Sequence, residues 1–274
     1  MRIVLILLLI VCSSVFIYAD EEHHHDLSAA QLGSVTFPTS CKPEVQKQFE
    51  IGVAWLHSFE YEQANNQFAE VAKTDPKCAM AYWGQAMSLY HQLWDRPTKE
   101  TVAQAASLLK QATAIQPKTK RESDYVHALS IFYSGDDSEN YKKRQEGYSD
   151  AMDQLRKDNP EDREATIFYA LSLLSLSDGK DPNLTLQRKA VAILNEQLPH
   201  APNHPGITHY IIHATDNPQL ADQGLAAARA YAKIAPSSVH AVHMPSHIFA
   251  RLGLWQDDIR SNLAALQIAN QMTG

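Results

Sequence analysis

Four histidines lie in two short motifs of the same form. His209 and His213 occur in THYIIHATD, and His243 and His247 occur in VHMPSHIFA, so each pair has the spacing H-x-x-x-H. Two residues four apart on a helix lie one above the other on the same face. Imidazole nitrogen is a common transition-metal ligand, and this spacing lets both rings of a pair point at one ion. The motifs therefore indicate metal chemistry.

The two motifs are separated by a constant interval. His209 and His243 are 34 residues apart, as are His213 and His247. If this interval is a structural repeat, the two pairs lie side by side on adjacent helices. They would then supply four nitrogens to one ion of zinc, copper or iron.

Two further side chains share this helix face and belong to the predicted ligand set. Asp216 follows His213 by three residues, and His240 precedes His243 by three. Three imidazoles with Asp216 would leave a coordination position for water, which favours an enzyme over a closed structural site. Neither motif contains the glutamate of H-E-x-x-H, so the general base of that protease family is not predicted.

The same histidines admit an interpretation without metal. Imidazoles also stack on aromatic rings and hydrogen-bond to backbone groups or carboxylates in proteins that hold no ion. Pro245 lies between the rings of the second motif, and a proline inside a helix removes a hydrogen bond. The resulting bend could separate the two rings or bring them together.

These motifs lie within a long helical pattern that begins at Pro43. Glycine is scarce, proline falls between segments, and no long alternation of apolar and polar residues predicts a strand. The predicted fold class is all-α. The pattern predicts six helical hairpins, at 43–57 with 60–74, 77–91 with 98–115, 119–134 with 139–158, 161–176 with 184–198, 205–215 with 217–235, and 239–253 with 255–271.

The hairpins resemble the tetratricopeptide repeat (TPR), a helical hairpin of about 34 residues. In the first unit Gly52, Tyr61, Ala64 and Phe68 match the family's small, aromatic and apolar positions, and Pro76 ends the unit. The second unit contains a seven-residue insertion around HQLWDRP. Further matches occur at Tyr82, Ala86, Ala105, Leu109, Ala112, Pro117, Leu252, Gly253 and Trp255.

The resemblance implies that residues 43–274 form a TPR-like α-solenoid of about six hairpins, similar to exported bacterial TPR proteins of unassigned function. A closed α/α toroid is the alternative arrangement. In the family, one face of each first helix lines a concave groove, which places the four histidines of the two motifs there. Other groove-lining residues implied in this way are His57, His91, Trp83, Met87, Tyr90 and Trp94.

An aromatic-lined groove suits a peptide, a protein or a small molecule. The predicted function is an exported scaffold whose histidine cluster binds a transition metal or a metal-dependent ligand. Two alternatives are a metal-free scaffold that binds peptides or proteins, and a metal-dependent enzyme acting on a small molecule. No organic cofactor is implied.

The chain's beginning predicts export. Residues 1–19 contain MR, the apolar run IVLILLLIV and a short end at Ala19, which is typical of a cleaved secretory signal peptide. This run is short for a membrane span, so we expect a periplasmic or secreted protein without membrane attachment after cleavage. Residues 20–42, which begin DEEHHHD, are predicted to be a flexible tether.

Charge and cysteine content narrow the partners and the compartment. The chain has 24 Lys and Arg against 31 Asp and Glu, which argues against nucleic acid as a partner. Of the three cysteines, Cys12 lies in the predicted signal peptide. Cys41 and Cys78 remain, and an even pair in an exported protein predicts one disulfide.

The last predicted helix is apolar on one side. Ile259, Leu263 and Leu266 fall along this side, whereas repeat arrays normally finish with a polar-faced capping helix. We therefore expect this C-terminal edge to be covered, either by further chain or by self-association with a second copy.

Overall fold

The computed structural model describes residues 29–135, 140–177 and 179–272. The predicted signal peptide and residues 20–28 lie outside these ranges. Within them the regular structure is helical and includes no strand, which confirms the all-α class. The α-helices are α1 (Ala29–Leu32), α2 (Gln46–His57), α3 (Tyr61–Thr74), α4 (Ala79–Met87), α5 (Lys99–Ile115), α6 (Lys120–Phe132), α7 (Tyr141–Asp158), α8 (Arg163–Leu176), α9 (Thr185–Gln197), α10 (Pro205–Thr215), α11 (Ala221–Ile234), α12 (Val239–His243), α13 (Pro245–Arg251) and α14 (Trp255–Met272).

Polar caps mark several of the helix starts. In α5, α6, α8 and α12 the residue before the helix accepts a hydrogen bond from the backbone N–H three positions further on. Such a bond satisfies one of the N–H groups that a helix leaves unpaired at its start. The capping residues are Thr98, Thr119, Asp162 and Ser238.

The long helices pack in chain order, each against the next, which confirms a solenoid-like array of hairpins. Glycine allows the closest crossings in the first two hairpins. A Cβ atom at Gly52 would lie 2.7 Å from the ring of Phe68, and one at Gly84 would lie 2.5 Å from the same ring. The buried Phe68 ring therefore fills the space that both glycines leave open.

The array also closes on itself at its inner side. Helix α2 packs against α10, and the Tyr210 hydroxyl donates a hydrogen bond to Nδ1 of His57 over 2.9 Å. Just beyond α2, Glu60 Oε1 accepts a hydrogen bond from Ser238 Oγ, 2.8 Å away, at the start of α12. The hairpins thus stack on their neighbours, as expected of a solenoid, while the first hairpin also meets the fifth and sixth.

The prediction that residues 20–42 form a flexible tether is wrong for the second half of this range. Phe37 is fully buried, and its ring lies 5.3 Å from Phe49 in α2, 5.6 Å from Trp83 in α4 and 5.0 Å from Tyr125 in α6. The segment before α2 therefore packs along the inner faces of three first helices. The segment around Phe37 has no helical or strand periodicity, so the sequence pattern did not reveal this contact.

The predicted disulfide is confirmed. Cys41 and Cys78 are bonded, which ties the N-terminal segment to the start of α4. A disulfide is compatible with an oxidising compartment outside the cytosol. Among the helices of the described ranges, none is long and apolar enough to cross a membrane.

Candidate metal centre

Three imidazoles converge between α10 and α12. Nε2 of His209 lies 3.0 Å from Nε2 of His213 and 3.0 Å from Nε2 of His240. The three ligand atoms all lie within 4.8 Å of one another. Nitrogens bound to one tetrahedral ion at about 2.0–2.1 Å are roughly 3.3 Å apart. Two of the three separations in this three-histidine centre are therefore close to those expected around a single transition-metal ion.

The proton of His209 lies on the nitrogen that faces away from the centre. Nδ1 of His209 lies 2.6 Å from the backbone oxygen of His57, which can only accept a hydrogen bond. Nε2 of His209 consequently presents a lone pair. One lone pair cannot accept well-aligned hydrogen bonds from both His213 and His240, whereas a cation between the three nitrogens would satisfy all of them.

Burial keeps these imidazoles neutral. Removal from solvent, followed by the proximity of His213 and His240, holds the pKa of His209 well below its ordinary value. Burial is also the main cause that lowers the pKa of His213 to about 3, and it does the same for the pKa of His240. Neutral imidazole is the form that binds a metal, so the centre does not need to lose protons first at neutral pH.

An aromatic ring covers the centre from the side of α2. The ring of Phe59 lies 4.4 Å from His209, 5.4 Å from His213 and 5.6 Å from His240, measured between ring centroids. Phe59 has a φ of 55°, a left-handed conformation that is rare for an aromatic residue and clusters at functional sites. Trp94, 53% exposed, lies 5.4 Å from His240 on the solvent side.

Glu60 positions the helix that carries His240. Its Oε1 accepts hydrogen bonds from Ser238 Oγ at 2.8 Å and from the backbone N–H of His240 at 3.2 Å. A carboxylate at a helix N-terminus is favourable because the first N–H groups have no partner within the helix. The first hairpin thus orients ligands on both α10 and α12.

The four-nitrogen set predicted from the repeat interval is corrected by this arrangement. His240, and neither His243 nor His247, joins His209 and His213 in one group. His243 and His247 instead face each other, with their Nε2 atoms 3.2 Å apart. The four-residue spacing brings the two rings of each pair together on one helix face, whether or not a neighbouring helix adds a third ring.

Asp216 supports a histidine and does not lie in the three-histidine centre. Its Oδ2 accepts a hydrogen bond from His247 Nδ1 at 2.9 Å, and its Oδ1 accepts one from Arg251 Nε at 2.8 Å. The bond from His247, with that from Arg251, lowers the pKa of Asp216 to about 2. The prediction that Asp216 is a metal ligand is therefore corrected, because this carboxylate instead orients the imidazole of His247.

Pro245 interrupts the helix but does not separate its two neighbouring histidines. Helix α12 ends at His243, and α13 begins at Pro245. Met244 between them keeps helical dihedral angles, φ −52° and ψ −34°. The rings of His243 and His247 therefore remain in contact across the interruption.

A buried carboxylate ties the first hairpin to the fourth and fifth. Glu164 in α8 lies 2.7 Å from His57 Nε2 and 2.8 Å from His204 Nε2, and all three side chains are buried. Burial alone would raise the pKa of Glu164, but attraction to His204 and His57 and their hydrogen bonds lower it. The carboxylate is thus ionised and accepts from both rings.

The residue types of this buried group could hold an ion, but its hydrogen bonds argue for a structural role. His57 donates through Nε2 to Glu164 and accepts at Nδ1 from Tyr210, so neither nitrogen has a free lone pair. Burial lowers the pKa of His57, which favours this neutral form. The group holds the end of α2 in place, and with it the carbonyl that orients His209.

Most of the predicted groove-lining residues are in the core. His57, Trp83, Met87 and Tyr90 are buried. Closure of the array covers His57, and Phe37 packs against Trp83. These four predictions are therefore corrected.

The other two predicted groove residues, His91 and Trp94, reach solvent. The His91 ring stacks on Tyr61, and its Nδ1 lies 2.9 Å from Asp95 Oδ1.

A cavity of about 470 Å³ lies beside the exposed Trp94 and is lined also by Gln92, Arg96 and Tyr141. Gln92 is 5% exposed, and neither its amide nitrogen nor its amide oxygen has a hydrogen-bond partner. An unpaired buried amide is costly, so such a group indicates a place for a polar ligand or water. The insertion HQLWDRP in the second hairpin was the signal that could have located it.

Neither the models of known protein families nor the curated proteins include a match to this chain. The resemblance to the tetratricopeptide repeat therefore rests on the residue pattern alone.

Proposed function

We propose that this protein is an exported, TPR-like helical scaffold that binds a transition-metal ion at the three-histidine centre. The convergence of three Nε2 atoms is the observation that carries the proposal. His209 supports it most directly, since its Nδ1 proton is committed to the backbone of His57 and its Nε2 is free to coordinate. Imidazole suits zinc, copper and iron, so all three are candidates.

The proposed site has room for a ligand that the protein does not supply. Three imidazoles leave at least one position of a tetrahedral ion open, as in catalytic zinc sites. The Phe59 ring packs against the three imidazoles, while Trp94 lies on the solvent side of His240. Water or a small molecule arriving from the side of Trp94 would complete the coordination.

Metal analysis of untagged protein tests the proposal. His23, His24 and His25 are replaced by Ala beforehand, because this tail could chelate metal by itself. We expect stoichiometric zinc, copper or iron in the parent protein and a large loss in His240→Ala. The exposed His127→Ala serves as the control and should retain the metal. Absence of bound metal, together with no increase in melting temperature when these ions are added, would overturn the proposal.

A metal-dependent enzyme acting on a small molecule is the second candidate function. The cavity next to Trp94, with the unpaired amide of Gln92 in its lining, favours it. Cobalt-substituted protein offers a test, because azide binding at an open position changes the visible spectrum of the ion. A spectrum unaffected by azide would exclude an accessible coordination position and leave metal binding alone.

A metal-free scaffold for peptides is supported less well. Phe37 of the chain's own N-terminal segment already packs among Phe49, Trp83 and Tyr125, on the faces that a groove-bound peptide would use.

A further inference from the structure

We propose that His243 and His247 hold a second transition-metal ion next to the three-histidine centre, which makes the site dinuclear. This inference rests on the proposed function, because the first ion is the one described above. It adds a separate subsite, at the junction of α12 and α13, with its own supporting residues.

The proton of His243 is placed by an asparagine. Nδ1 of His243 lies 2.8 Å from Asn262 Oδ1. The orientation of this amide is set from its other side, since Asn262 Nδ2 donates to the backbone oxygen of Asp258 at 3.2 Å and to its Oδ1 at 2.8 Å. Asn262 therefore presents an acceptor to His243, Nδ1 of His243 carries the proton, and Nε2 presents a lone pair.

The proton of His247 is placed by a carboxylate. Nδ1 of His247 lies 2.9 Å from Oδ2 of Asp216, which is ionised and can only accept. Nε2 of His247 therefore also presents a lone pair. A carboxylate behind an imidazole is a common supporting interaction in metal sites, because it orients the ring and increases the basicity of the coordinating nitrogen.

The two lone pairs face each other without a donor between them. Nε2 of His243 and Nε2 of His247 are 3.2 Å apart, close to the separation of about 3.3 Å expected for two nitrogens on one ion. Two such lone pairs repel each other unless a cation or a proton lies between them. The subsite is open to water, which would complete the coordination, since the side chain of His247 is 37% exposed.

The second subsite adjoins the first. The ring of His240 lies 4.8 Å from that of His209 and 6.4 Å from that of His243, so it stands between the two groups. Two ions held side by side can share a small oxygen ligand such as hydroxide and stabilise charge on it from both sides. A dinuclear site would thus take a water-derived or other oxygen-donor ligand between its ions.

Copper(II) titration of the protein that lacks His23, His24 and His25 tests the proposal. Calorimetry should show two bound ions per chain, and electron paramagnetic resonance should show magnetic coupling between them. His247→Ala should lose one ion and the coupling while it keeps the other ion. Asp216→Asn should retain the second ion with an affinity reduced about 10- to 100-fold, as for other changes behind a metal ligand. His127→Ala should behave like the parent protein.

The alternative outcomes separate this inference from the proposed function. One bound ion in the parent protein, unaffected by His247→Ala, would overturn the second subsite and leave the three-histidine centre standing. Two bound ions that both persist in the double variant His243→Ala, His247→Ala would overturn the second subsite as well. No bound copper in the parent protein would overturn the second subsite, and the proposed function would fall with it only if zinc and iron were also absent. Circular dichroism of each variant shows whether a lost ion reflects unfolding. If His247→Ala is unfolded, the milder His247→Gln replaces it, with the same expected result.

Discussion

The backbone carbonyl of His57 lies 2.6 Å from Nδ1 of His209, although the two residues are 152 positions apart in the chain. His209, a candidate ligand on α10 in the fifth hairpin, is therefore oriented by the last residue of α2 in the first hairpin. The orientation of His209 within the three-histidine centre therefore depends on the contact between α2 and α10. The proposed metal binding and the packing of α2 against α10 are thus expected to be coupled.

Gly206→Ala is expected to weaken both. A Cβ atom at Gly206 would lie 2.6 Å from Nδ1 of His57, so α10 would have to move away from α2. Overpacking of this kind costs about 1–3 kcal/mol of unfolding free energy. Urea denaturation and metal titration should show a lower stability and a lower affinity. In a His57→Ala background the obstructing ring is absent, and an undiminished effect of Gly206→Ala there would contradict this explanation.

Glu164→Gln is expected to destabilise the protein strongly. In the parent protein both ring N–H groups, of His57 and of His204, lie less than 2.9 Å from a carboxylate oxygen of Glu164. Glutamine replaces one of these oxygens with an NH₂ group, so a donor would face the N–H of one of the two rings. Loss of one partner from a buried charged group costs about 3–5 kcal/mol. Thermal and urea unfolding measure the change. As a control, Glu161→Gln removes a charge at a nearby exposed position and should lower the unfolding free energy by less than about 0.5 kcal/mol. If Glu161→Gln and Glu164→Gln were equally destabilising, the buried group around Glu164 would not be stabilising the fold.

The stability of the metal-free protein should fall as the pH is lowered from about 6.5 towards 3. The pKa of His213 and that of His240 are lowered from 6.5 to about 3, chiefly by burial. In this window the unfolded chain binds protons at these positions and the folded chain does not, so acid favours unfolding. Each group contributes up to about 1.4 kcal/mol per pH unit.

Urea unfolding at several pH values, in the presence of a chelator, measures this dependence. His240→Asn removes one of the titrating groups and should reduce the slope of stability against pH. His127→Asn, which changes an exposed histidine, should leave the slope unaltered. A parent slope equal to that of His240→Asn would show that His240 is not buried in its neutral form.

Reduction of the disulfide should destabilise the array. Cys41 and Cys78 are 37 positions apart, and in the loop-entropy model a cross-link of this size contributes roughly 3–4 kcal/mol. Urea unfolding with and without a reductant measures this difference in unfolding free energy. The double variant Cys41→Ser, Cys78→Ser is the matched control, and its stability should not change when the reductant is added. Thiol titration of the denatured, unreduced protein without residues 1–19 should detect no free thiol, and detection of both cysteines would contradict the bond.

The exposed side of α14 should mediate association. Trp255, Ile259, Leu263 and Leu266 are 51–60% exposed and follow one another at helical spacing. Sedimentation should show a concentration-dependent larger species that Leu263→Glu abolishes. Gln104→Glu, which adds the same charge at an exposed position of α5, should not change the behaviour. A monomer at every concentration would contradict self-association and leave coverage by further chain as the remaining alternative.

Local features of the chain determined its helices and its histidine pairs. Hairpin boundaries depend on apolar spacing, on caps such as Ser238 and on prolines between segments, all of which act within a few residues. The contacts of His209 with His213, and of His243 with His247, follow from the four-residue spacing alone. The cysteine pair was predictable because only two cysteines remain in the predicted mature chain.

The tertiary structure decided which pairs meet and what supports them. His240 joins His209 because α12 lies beside α10, and the position of one helix against the other depends on side-chain packing that no local pattern specifies. Glu60 and Glu164 look in the sequence like ordinary charges near helix starts, and only packing turns them inward. Local spacing therefore determined the pairs, whereas side-chain packing across the array, a long-range property, brought His240 to the first pair and left the second pair separate.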